Sequence, residues 1–498
     1  MHIAFLNPQG NFDPTDYGWT QHPDFGGQLV YVKEVALAMG EDDHRVDIIT
    51  RQIDDTNWPE FAGRIDGYLG HDNVRILRFP CGPLHFLKKE DMWPYIYEWV
   101  NNILLFYENK PAFPDIFTGH YADGGLAGAM ILNERGKPYT FTGHSLGAQK
   151  MDKLIVGEEI FLEKVRHFHF DKRITAERLA MSSASRIITS TKQERMIQYG
   201  HHLYEDAVDT SDEGKFAVIP PGVNLSIFAR DLQDIEIPEK VERMIKRDIS
   251  ESRRNLPLVI CSSRLDRKKN HLDLVKAWAV SPKLKASANL AIITRGSENP
   301  MEEWMELFSG EEQTVFGEIM DVIENHDLAG CITAFSLNSQ TELAACYQYL
   351  AKNLQGIFAL TAVYEPFGLA PLEAIASGLP VVVTKNGGPS ESLKDKNGKY
   401  GVLVDPQDPQ DIAEGILLLA TDVNYWKRMR AVGRKRVQDK YTWQKTAKGY
   451  FDVFESILSD ISQQDKRVVI PQYFYNSDVV DVTPEELRDR YFMKEKSV

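Results

Sequence analysis

Two series of short apolar runs, rich in β-branched residues and separated by helix-like stretches, extend through most of this chain. Alternation of this kind builds parallel sheets from strand-helix units, with helices covering both faces. The first series predicts strands at residues 2–6, 45–50, 74–79, 115–118, 139–142, 186–189 and 216–219. The second series predicts strands at residues 258–262, 290–294, 331–334, 357–360, 380–384 and 402–404. We therefore expect an α/β protein with two doubly wound sheets.

The segment between the two series marks the expected domain boundary. It contains a Pro-Pro-Gly sequence ending at Gly222 and is followed by the charged stretch 231–254. Such composition is typical of a linker, so we place the boundary near Asn224. A chain of 498 residues also exceeds the usual size of one domain. We expect domains at residues 1–224 and 225–442, with a ligand cleft between them.

The charge balance and the cysteines argue against several classes of function. The chain has 57 basic and 72 acidic residues, and its net charge of −15 opposes nonspecific binding to nucleic acids and anionic membranes. The four cysteines include no close pair, which indicates reduced, buried thiols rather than a zinc site or a disulfide framework. No apolar run resembles a signal peptide or reaches the roughly 20 residues of a membrane span, so we expect a soluble, cytoplasmic protein.

The loop after the predicted strand 357–360 carries a carboxylate, and the helix that follows carries another. Ligands of open α/β sheets bind beyond the carboxyl ends of the strands. The exposed amides near Gly368 and Leu369, where that helix begins, form a site for a diphosphate. Glu373 in the helix is suited to ribose hydroxyls, and Glu365 on the loop is suited to the hydroxyls of a sugar. The alternative is that the carboxylates only complement the start of a helix.

A second loop, residues 263–270, gathers cations after the predicted strand 258–262. Arg264 can grip a phosphate with two parallel N–H bonds, and Lys269 adds a point charge. Together they are suited to neutralise a departing nucleoside diphosphate. Asn270 is predicted to cap the helix that follows. The alternative is a solvated run of surface charge.

Polar loops also follow predicted strands in the first half of the chain. Gly26 and its neighbour permit close approach of a ligand to the backbone before Gln28. The alternative is that these glycines form an ordinary turn. Residues 118–125 form a polar, glycine-rich strand end. Residues 142–150 contain the Gly-x-Ser-x-Gly pattern of serine hydrolases, with Ser145 at its centre. No second hydrolase motif accompanies it, so hydrolysis at Ser145 is a remote alternative.

Four cations elsewhere in the first half could bind the phosphate of a phosphorylated acceptor: Lys89, Lys150, Arg173 and Arg178. Each of them, taken singly, is more commonly a solvated or salt-bridged surface side chain. Their spacing alone assigns them no role.

The E-x7-E spacing from Glu365 to Glu373 and the basic loop 264–269 occur in the order typical of one enzyme family. In these two motifs the sequence resembles the retaining glycosyltransferases of family 4. Within that family, the loops around 26–28, 142–150 and 263–270 are most similar to those of sucrose-phosphate synthases. The resemblance covers roughly residues 1–460.

The resemblance implies the GT-B fold, which has two facing Rossmann-like domains with parallel sheets and an inter-domain cleft. The first domain would bind the acceptor, and the second would bind the nucleotide sugar. A C-terminal helix at 443–458 would return to the first domain, so residues 443–498 are expected to pack there.

The resemblance also implies roles for individual residues. The donor would be bound by Arg264, Lys269, Leu337, Asn338, Gln340, Phe367, Gly368, Leu369 and Glu373. The acceptor would be bound by Gly26, Gln28, Lys89, Tyr121, Ser145, Lys150 and Arg173, with Arg178 as a nearby alternative for the phosphate. In catalysis, Glu365 would engage the transferred glucose and His144 would lie near its 6-hydroxyl. Arg264 and Lys269 would stabilise the leaving diphosphate.

The implied reaction is transfer of glucose from UDP-glucose to fructose 6-phosphate, with retention, giving sucrose 6-phosphate and UDP. The alternatives are GDP-mannose as donor, as in mannosylfructose-phosphate synthase, and free fructose as acceptor, as in sucrose synthase. No cofactor is expected to be required and no metal site is expected, although stimulation by Mg²⁺ is compatible with this chemistry. No phosphatase domain is recognised, so we expect a separate sucrose-phosphate phosphatase to act on the product.

Overall fold

The computed structural model describes residues 1–15, 27–108, 110, 112–232, 236–460 and 467–492. The chain forms two compact units: unit 1 contains Met1–Pro220 and Trp443–Val498, and unit 2 contains Pro221–Thr442. The sequence placed a boundary near Asn224, and the structure divides the chain between Pro220 and Pro221. Unit 2 is therefore inserted into the sequence of unit 1.

Unit 1 is built on an eight-stranded sheet. Its strands are β1 His2–Leu6, β2 Arg45–Arg51, β3 Ile65–Tyr68, β4 His71–Phe79, β5 Ile116–His120, β6 Tyr139–Thr142, β7 Arg186–Thr189 and β8 Phe216–Val218. They lie in the order β3-β4-β2-β1-β5-β6-β7-β8. All neighbours are parallel except β3 and β4.

Helices cover both faces of this sheet. The helices before the boundary are α1 Gly27–Gly40, α2 Ile96–Glu108, α3 Tyr121–Arg135, α4 Gly147–Leu154, α5 Phe161–Phe168 and α6 Phe170–Ser183. Successive side chains of a strand point to opposite faces. Accordingly, Ile3 and Phe5 of β1 pack in the same core as α1, whereas Ala4 and Leu6 pack in the core that contains α2 and α3. The apolar run of β1 is thus buried on both sides, as expected for a parallel strand.

Unit 2 is built on a six-stranded parallel sheet. Its strands and a small hairpin are β9 Leu258–Ser262, β10 Asn289–Thr294, β11 Ile332–Ser336, β12 Ile357–Leu360, β13 Val381–Thr384, β14 Lys394–Asp395, β15 Gly398–Lys399 and β16 Val402–Val404. The sheet has the order β11-β10-β9-β12-β13-β16. Its helices are α7 Leu225–Phe228, α8 Glu236–Asp248, α9 His271–Val280, α10 Pro282–Ser287, α11 Pro300–Leu307, α12 Gly310–Asn325, α13 Gln340–Asn353, α14 Leu369–Ala376, α15 Pro389–Ser392, α16 Pro409–Thr421 and α17 Val423–Lys440.

The chain then returns to unit 1 as α18 Trp443–Ser459 and α19 Pro484–Phe492. Tyr450 and Phe454 of α18 are fully buried in the core that contains α1. Phe474 and Leu487 of the following segment pack in the core on the opposite face of the sheet. The returning segment therefore contributes to both hydrophobic layers of unit 1.

The structure differs from the sequence predictions at weakly patterned positions. β3, an antiparallel edge strand with exposed residues, and the hairpin β14-β15 were not predicted. Asn270 does precede α9, but its φ is +56° and its side chain makes no capping bond. Instead, Asn270 Nδ2 donates to the Pro406 carbonyl at 2.6 Å. The predicted cap is wrong because the Asn270 side-chain amide bonds the loop that contains Pro406 instead of the first turn of α9.

Two further sequence expectations can be compared with the described residues. Cys81, Cys261, Cys331 and Cys346 are free and buried, as predicted. Among the described helices, none is long and apolar enough to cross a bilayer.

Candidate active site

The topology of unit 2 identifies where a ligand would bind. The chain builds outward from β9 through β10 to β11, then crosses to the other side of β9 to form β12. A reversal of strand order opens a crevice at the carboxyl ends of the two strands that flank it. The loops that follow β9 and β12 carry Lys269 and Glu365, respectively. The two loops identified from the sequence therefore lie at the topological switch point.

Lys269 and Glu365 form an ion pair at this point. Lys269 Nζ donates to Glu365 Oε2 at 2.7 Å, and the two side chains are 23% and 13% exposed. A pair that is partly shielded from water interacts more strongly than one on the open surface. The pair leaves Lys269 with a fixed position and a charge that an incoming anion can share.

The backbone of the Glu365 loop is held from both sides. Glu365 N–H donates to the Asn386 carbonyl at 3.2 Å, and Gly388 N–H donates to the Glu365 carbonyl at 2.9 Å. A Cβ at Gly387, whose φ is +95°, would lie 2.1 Å from the Glu365 carbonyl oxygen. Only glycine allows this approach. The loop after β13 thus fixes the loop after β12.

Helix α14 begins next to the ion pair. Gly368 occupies the N-cap with φ +95°, and no side chain caps the helix. The first N–H groups of a helix lack intrahelical partners and carry its positive dipole end. Phe367 packs beside Tyr441, with ring centroids 6.1 Å apart, which steadies the entry to the helix. The amides at Gly368 and Leu369 are therefore suited to an anion.

Glu373 lies one turn into α14 and makes no hydrogen bond or ion pair with any described residue. Burial raises its pKa to about 7. A partly buried carboxylate with no partner among the described residues retains its capacity to accept hydrogen bonds. Glu373 is consequently suited to hydroxyl donors of a ligand.

Glu373→Gln is expected to remove a pH-dependent destabilisation. Because the pKa rises from 4.5 to about 7 on folding, the folded chain retains a proton across this range that the unfolded chain releases. Stability therefore falls as the pH rises through this window, by up to about 3 kcal/mol. Urea unfolding at pH 5 and pH 8 measures the effect. The gain in the free energy of unfolding of unit 2 on replacing Glu373 with glutamine should be larger at pH 8 than at pH 5. An equal gain at both pH values would contradict this prediction.

The other donor residues predicted in unit 2 lie on neighbouring loops. The Arg264 side chain is 76% exposed and lies 3.5 Å from Asp266 Oδ2, so it is more loosely held than Lys269. Asn338, between β11 and α13, and Gln340, the first residue of α13, are exposed, whereas Leu337 is buried. Asn338 N–H donates to Glu342 Oε2 at 3.0 Å. These positions surround the carboxyl edge of the sheet.

Unit 1 also has a switch point, between β1 and β5. Gln28 Nε2 donates to Asn7 Oδ1 at the end of β1, and Asn7 Nδ2 is buried with no partner in the part of the chain that the structure describes. Gln9 Nε2 donates to Asp123 Oδ2 at 2.8 Å, and burial raises the pKa of Asp123 to about 6. Gly26 lies outside the described residues. The end of β1 thus presents amide and carboxyl groups close to Gln28.

Three predicted cations gather in unit 1. Lys150 Nζ lies 3.6 Å from Glu90 and 4.1 Å above the Phe168 ring. Burial lowers the pKa of Lys150, and Glu90 opposes that shift. The cations of Arg173 and Lys89 lie close enough to lower it further. Cations that lower the pKa of Lys150 in this way form a site that an anion would stabilise.

A buried carboxylate organises this cation cluster. Glu177 is fully buried and accepts bonds from Gly147 N–H at 2.8 and 3.0 Å, from Arg173 Nε at 3.0 Å and from the Tyr204 hydroxyl. Arg173 Nη2 also donates to the Ser145 carbonyl at 2.5 Å. Glu177 therefore fixes both Arg173 and the start of α4. Glu177 was not predicted from the sequence, although its i,i+4 spacing from Arg173 is a usable signal.

Arg178 lies on a different face of α6. It donates to the Leu203 carbonyl, and its guanidinium lies 3.8 Å from Asp206. Five residues after Arg173 on a helix is about 140° around the axis, so both side chains cannot face the same site. The structure therefore does not place Arg178 with the other three cations.

The segment around His144 has an unusual backbone. His144 has φ +54°, and Ser145 N–H donates to the Gly143 carbonyl at 2.6 Å, which closes a three-residue turn. Tyr121, whose ring centroid lies 5.6 Å from that of His144, also has positive φ, +63°. Left-handed backbone at residues other than glycine costs energy and is concentrated at functional sites. Tyr121 directly follows β5 and His144 closely follows β6, so both rings lie at the carboxyl edge of the sheet.

Ser145 lacks the partner that a serine nucleophile needs. Its side chain is exposed, and in the described part of the chain no histidine hydrogen-bonds its hydroxyl. The adjacent ring nitrogen, His144 Nε2, is bonded to His120 Nδ1 at 2.7 Å. A hydrolase triad requires a base within hydrogen-bond reach of the nucleophile. The described geometry gives no support to hydrolysis at Ser145.

No group of three or more His, Cys, Asp or Glu residues suited to a metal occurs within the described ranges.

Family models match both halves of the chain. The model for glycosyl transferases group 1 matches residues 242–436. The model for the first GT-B domain of sucrose synthase matches residues 1–245.

Individual relatives and solved structures agree with these matches. A probable sucrose-phosphate synthase of Thermosipho melanesiensis is 42% identical over 95% of this chain and 99% of its own length. The sucrose-phosphate synthase of Zea mays is 32% identical over 90% of this chain and 47% of its own length. This chain therefore spans about half the length of that plant relative.

The structural neighbours establish the fold. Sucrose-phosphate synthase from Thermosynechococcus elongatus aligns with a TM-score of 0.65 at 22% identity, covering 92% of this chain and 99% of that one. Anabaena Alr3699/HepE in complex with UDP-glucose aligns with a TM-score of 0.58 at 17% identity, covering 92% and 100%. The predicted GT-B fold is confirmed. Because the chain is 42% identical to the Thermosipho melanesiensis relative over 99% of that protein's length, it belongs to the sucrose-phosphate synthase family of hexosyltransferases.

Proposed function

We propose that this protein transfers the glucosyl group of UDP-glucose to fructose 6-phosphate, with retention, and releases sucrose 6-phosphate and UDP. The observation that carries the choice of acceptor is the gathering of Lys89, Lys150 and Arg173 in unit 1 of an acidic chain. Solvated cations spread apart, whereas Arg173 and Lys89 lie close enough to Lys150 to lower its pKa. A phosphate monoester is the ligand that relieves this repulsion.

Unit 2 would bind the donor. The amides at Gly368 and Leu369 and the Lys269 ammonium would hold the diphosphate, with Arg264 closing over it from its exposed position. Glu373 would accept hydrogen bonds from the ribose hydroxyls. The base would lie against the loop that contains Leu337, Asn338 and Gln340. UDP-glucose is favoured as the donor because the neighbour Anabaena Alr3699/HepE was solved with that molecule.

Unit 1 would bind the acceptor. Lys150 and Arg173, with Lys89, would hold the 6-phosphate, and Glu177 would keep Arg173 in place. Gln28, Tyr121 and Ser145 would contact the fructose ring from the carboxyl edge of the sheet. Gly26 is kept in this group from the sequence. His144 would lie beside the 6-hydroxyl of the transferred glucose.

In the chemical step, the bond between the glucose anomeric carbon and the diphosphate oxygen breaks while the anomeric carbon bonds to the fructose 2-hydroxyl. The proton of that hydroxyl passes to the departing diphosphate, so charge develops mainly on the leaving group. Lys269 would stabilise this charge, and Glu365, which is paired with Lys269, would also bind the sugar hydroxyls. Electrostatic stabilisation of this kind is commonly the largest catalytic contribution.

Product analysis tests the proposal. The protein is mixed with UDP-glucose and either fructose 6-phosphate or fructose, and the products are identified by mass spectrometry and NMR. We expect sucrose 6-phosphate from the phosphorylated sugar and little product from fructose. If fructose is turned over as well as fructose 6-phosphate, the chemistry is that of sucrose synthase. If GDP-mannose, offered in place of UDP-glucose, is the only donor used, the chemistry is that of mannosylfructose-phosphate synthase. Parallel assays with Mg²⁺ and with a chelator test for stimulation by the metal.

A further inference from the structure

A continuous series of buried hydrogen bonds leads to His144. Thr140 Oγ1 donates to Thr118 Oγ1 at 2.9 Å, and Thr118 Oγ1 lies 3.3 Å from His120 Nε2. On the opposite side of the ring, His120 Nδ1 lies 2.7 Å from His144 Nε2. Thr118 and His120 are two residues apart on β5, so both side chains lie on one face of the strand. The Thr118 and His120 side chains of β5 therefore connect Thr140 to the His144 ring through hydrogen bonds.

The surroundings of the His120 and His144 rings favour the neutral imidazole over the protonated imidazolium. Phe5 stacks on His120 with ring centroids 5.4 Å apart, and Tyr31 packs edge-on against His144 at 5.0 Å. Burial lowers the pKa of His144 to about 3, and burial together with the His144 ring lowers the pKa of His120 well below its usual value. A bond between two neutral imidazoles needs a proton on one facing nitrogen only. The question is which ring carries it.

The Thr118 hydroxyl decides between the two arrangements. If His144 Nε2 donated to His120 Nδ1, then His120 Nε2 would carry the other proton and donate to Thr118. Thr118 Oγ1 would then accept two bonds while its own O–H, on a fully buried residue, had no acceptor. A buried unsatisfied donor is costly. If His120 Nδ1 donates instead, every bond in the series runs in one direction.

We propose that Thr118 and His120 are positioning residues that fix the tautomer of His144, leaving a proton on His144 Nδ1. That nitrogen has no partner among the described residues, so it is a neutral hydrogen-bond donor held ready for a ligand oxygen. The turn at His144 already fixes the backbone, and the bond from His120 fixes the ring. If the proposed function is correct, the ligand oxygen belongs to the transferred sugar, and His144 serves there as a donor rather than as a base.

The proton position can be measured without any activity. In wild-type protein carrying ¹⁵N-labelled histidine, long-range ¹H–¹⁵N spectra report which nitrogen of His144 is protonated, and a His144→Gln sample assigns the signals. We expect a proton on Nδ1 across pH 6 to 8. A proton on Nε2 would overturn the inference whether or not the protein makes sucrose 6-phosphate.

Kinetics of Thr118 variants provide the second readout. Thr118→Val removes the donor to His120 without changing shape, so kcat should fall about five- to tenfold with little change in the KM for fructose 6-phosphate. Thr118→Ser should restore kcat. The control is Thr189→Val, which removes an equally buried hydroxyl of the same sheet that has no partner among the described residues and should leave kcat unchanged. Equal kcat values for Thr118→Val and Thr189→Val, with both proteins folded, would also overturn the inference.

Discussion

Lys269→Ala is expected to lower kcat for glucosyl transfer at least about a hundredfold. The Lys269 ammonium is only 23% exposed and bonds Glu365 at 2.7 Å, so its charge acts in a partly shielded site. Its removal takes away the stabilisation of the departing diphosphate and leaves Glu365 unpaired at the place where an anion must bind. Steady-state assays with UDP-glucose and fructose 6-phosphate measure the loss.

A matched control lies one residue away. Lys268 is exposed on the same loop and takes part there through its carbonyl, which accepts from Val363 N–H at 2.9 Å. Lys268→Ala keeps that bond, so it should retain nearly wild-type turnover. Glu365→Ala should lose as much activity as Lys269→Ala, and the double variant should lose little more, because the two residues act as a unit. Near-normal activity of Lys269→Ala would remove this residue from the active site.

Lys150→Ala is expected to raise the KM for fructose 6-phosphate about ten- to a hundredfold, because a charge-assisted hydrogen bond to phosphate is lost. The effect on kcat should be small, since the phosphate is remote from the reacting carbon. Varying fructose 6-phosphate at saturating UDP-glucose measures it. Lys153→Ala, which removes an exposed cation from the same helix, is the control. An unchanged KM in Lys150→Ala would exclude Lys150 from the phosphate site.

Arg173 is a poorer probe of phosphate binding than Lys150. Its removal would leave the fully buried Glu177 without its cation, and breaking a buried pair in this way commonly costs about 3 to 5 kcal/mol of stability. Loss of activity in Arg173→Ala would therefore mix unfolding with loss of binding. Lys150, which is 30% exposed and pairs only loosely with Glu90, separates the two effects.

The sequence predicted the sheets well because buried parallel strands have a strong pattern. Strands β1 and β9, each with four apolar residues out of five, coincide with the predicted strands. The edge strand β3 has the sequence Ile-Asp-Gly-Tyr and exposed residues, so it shows no apolar run to detect. The hairpin β14-β15 has two residues in each strand, which is too short for any period.

The site was less predictable because its geometry depends on contacts distant in sequence. Lys269 and Glu365 were identified from their loops, but their 2.7 Å ion pair follows from the order of strands in the sheet. Arg173 and Arg178 were equivalent as cations, and only the faces of α6 separate them. His120 and Glu177 carry no motif, and their importance comes from the bonds that they make inside unit 1.

The insertion of unit 2 into the sequence of unit 1 sets an order for folding during synthesis. Every residue of the six-stranded sheet is made between Pro221 and Thr442, so unit 2 can close its cores as soon as that stretch leaves the ribosome. Unit 1 cannot, because Tyr450, Phe454 and Phe474 belong to its cores and are made last. A chain truncated after Thr442 and released from the ribosome should accordingly resist protease in unit 2, whereas its N-terminal half remains open to cleavage and to chaperones.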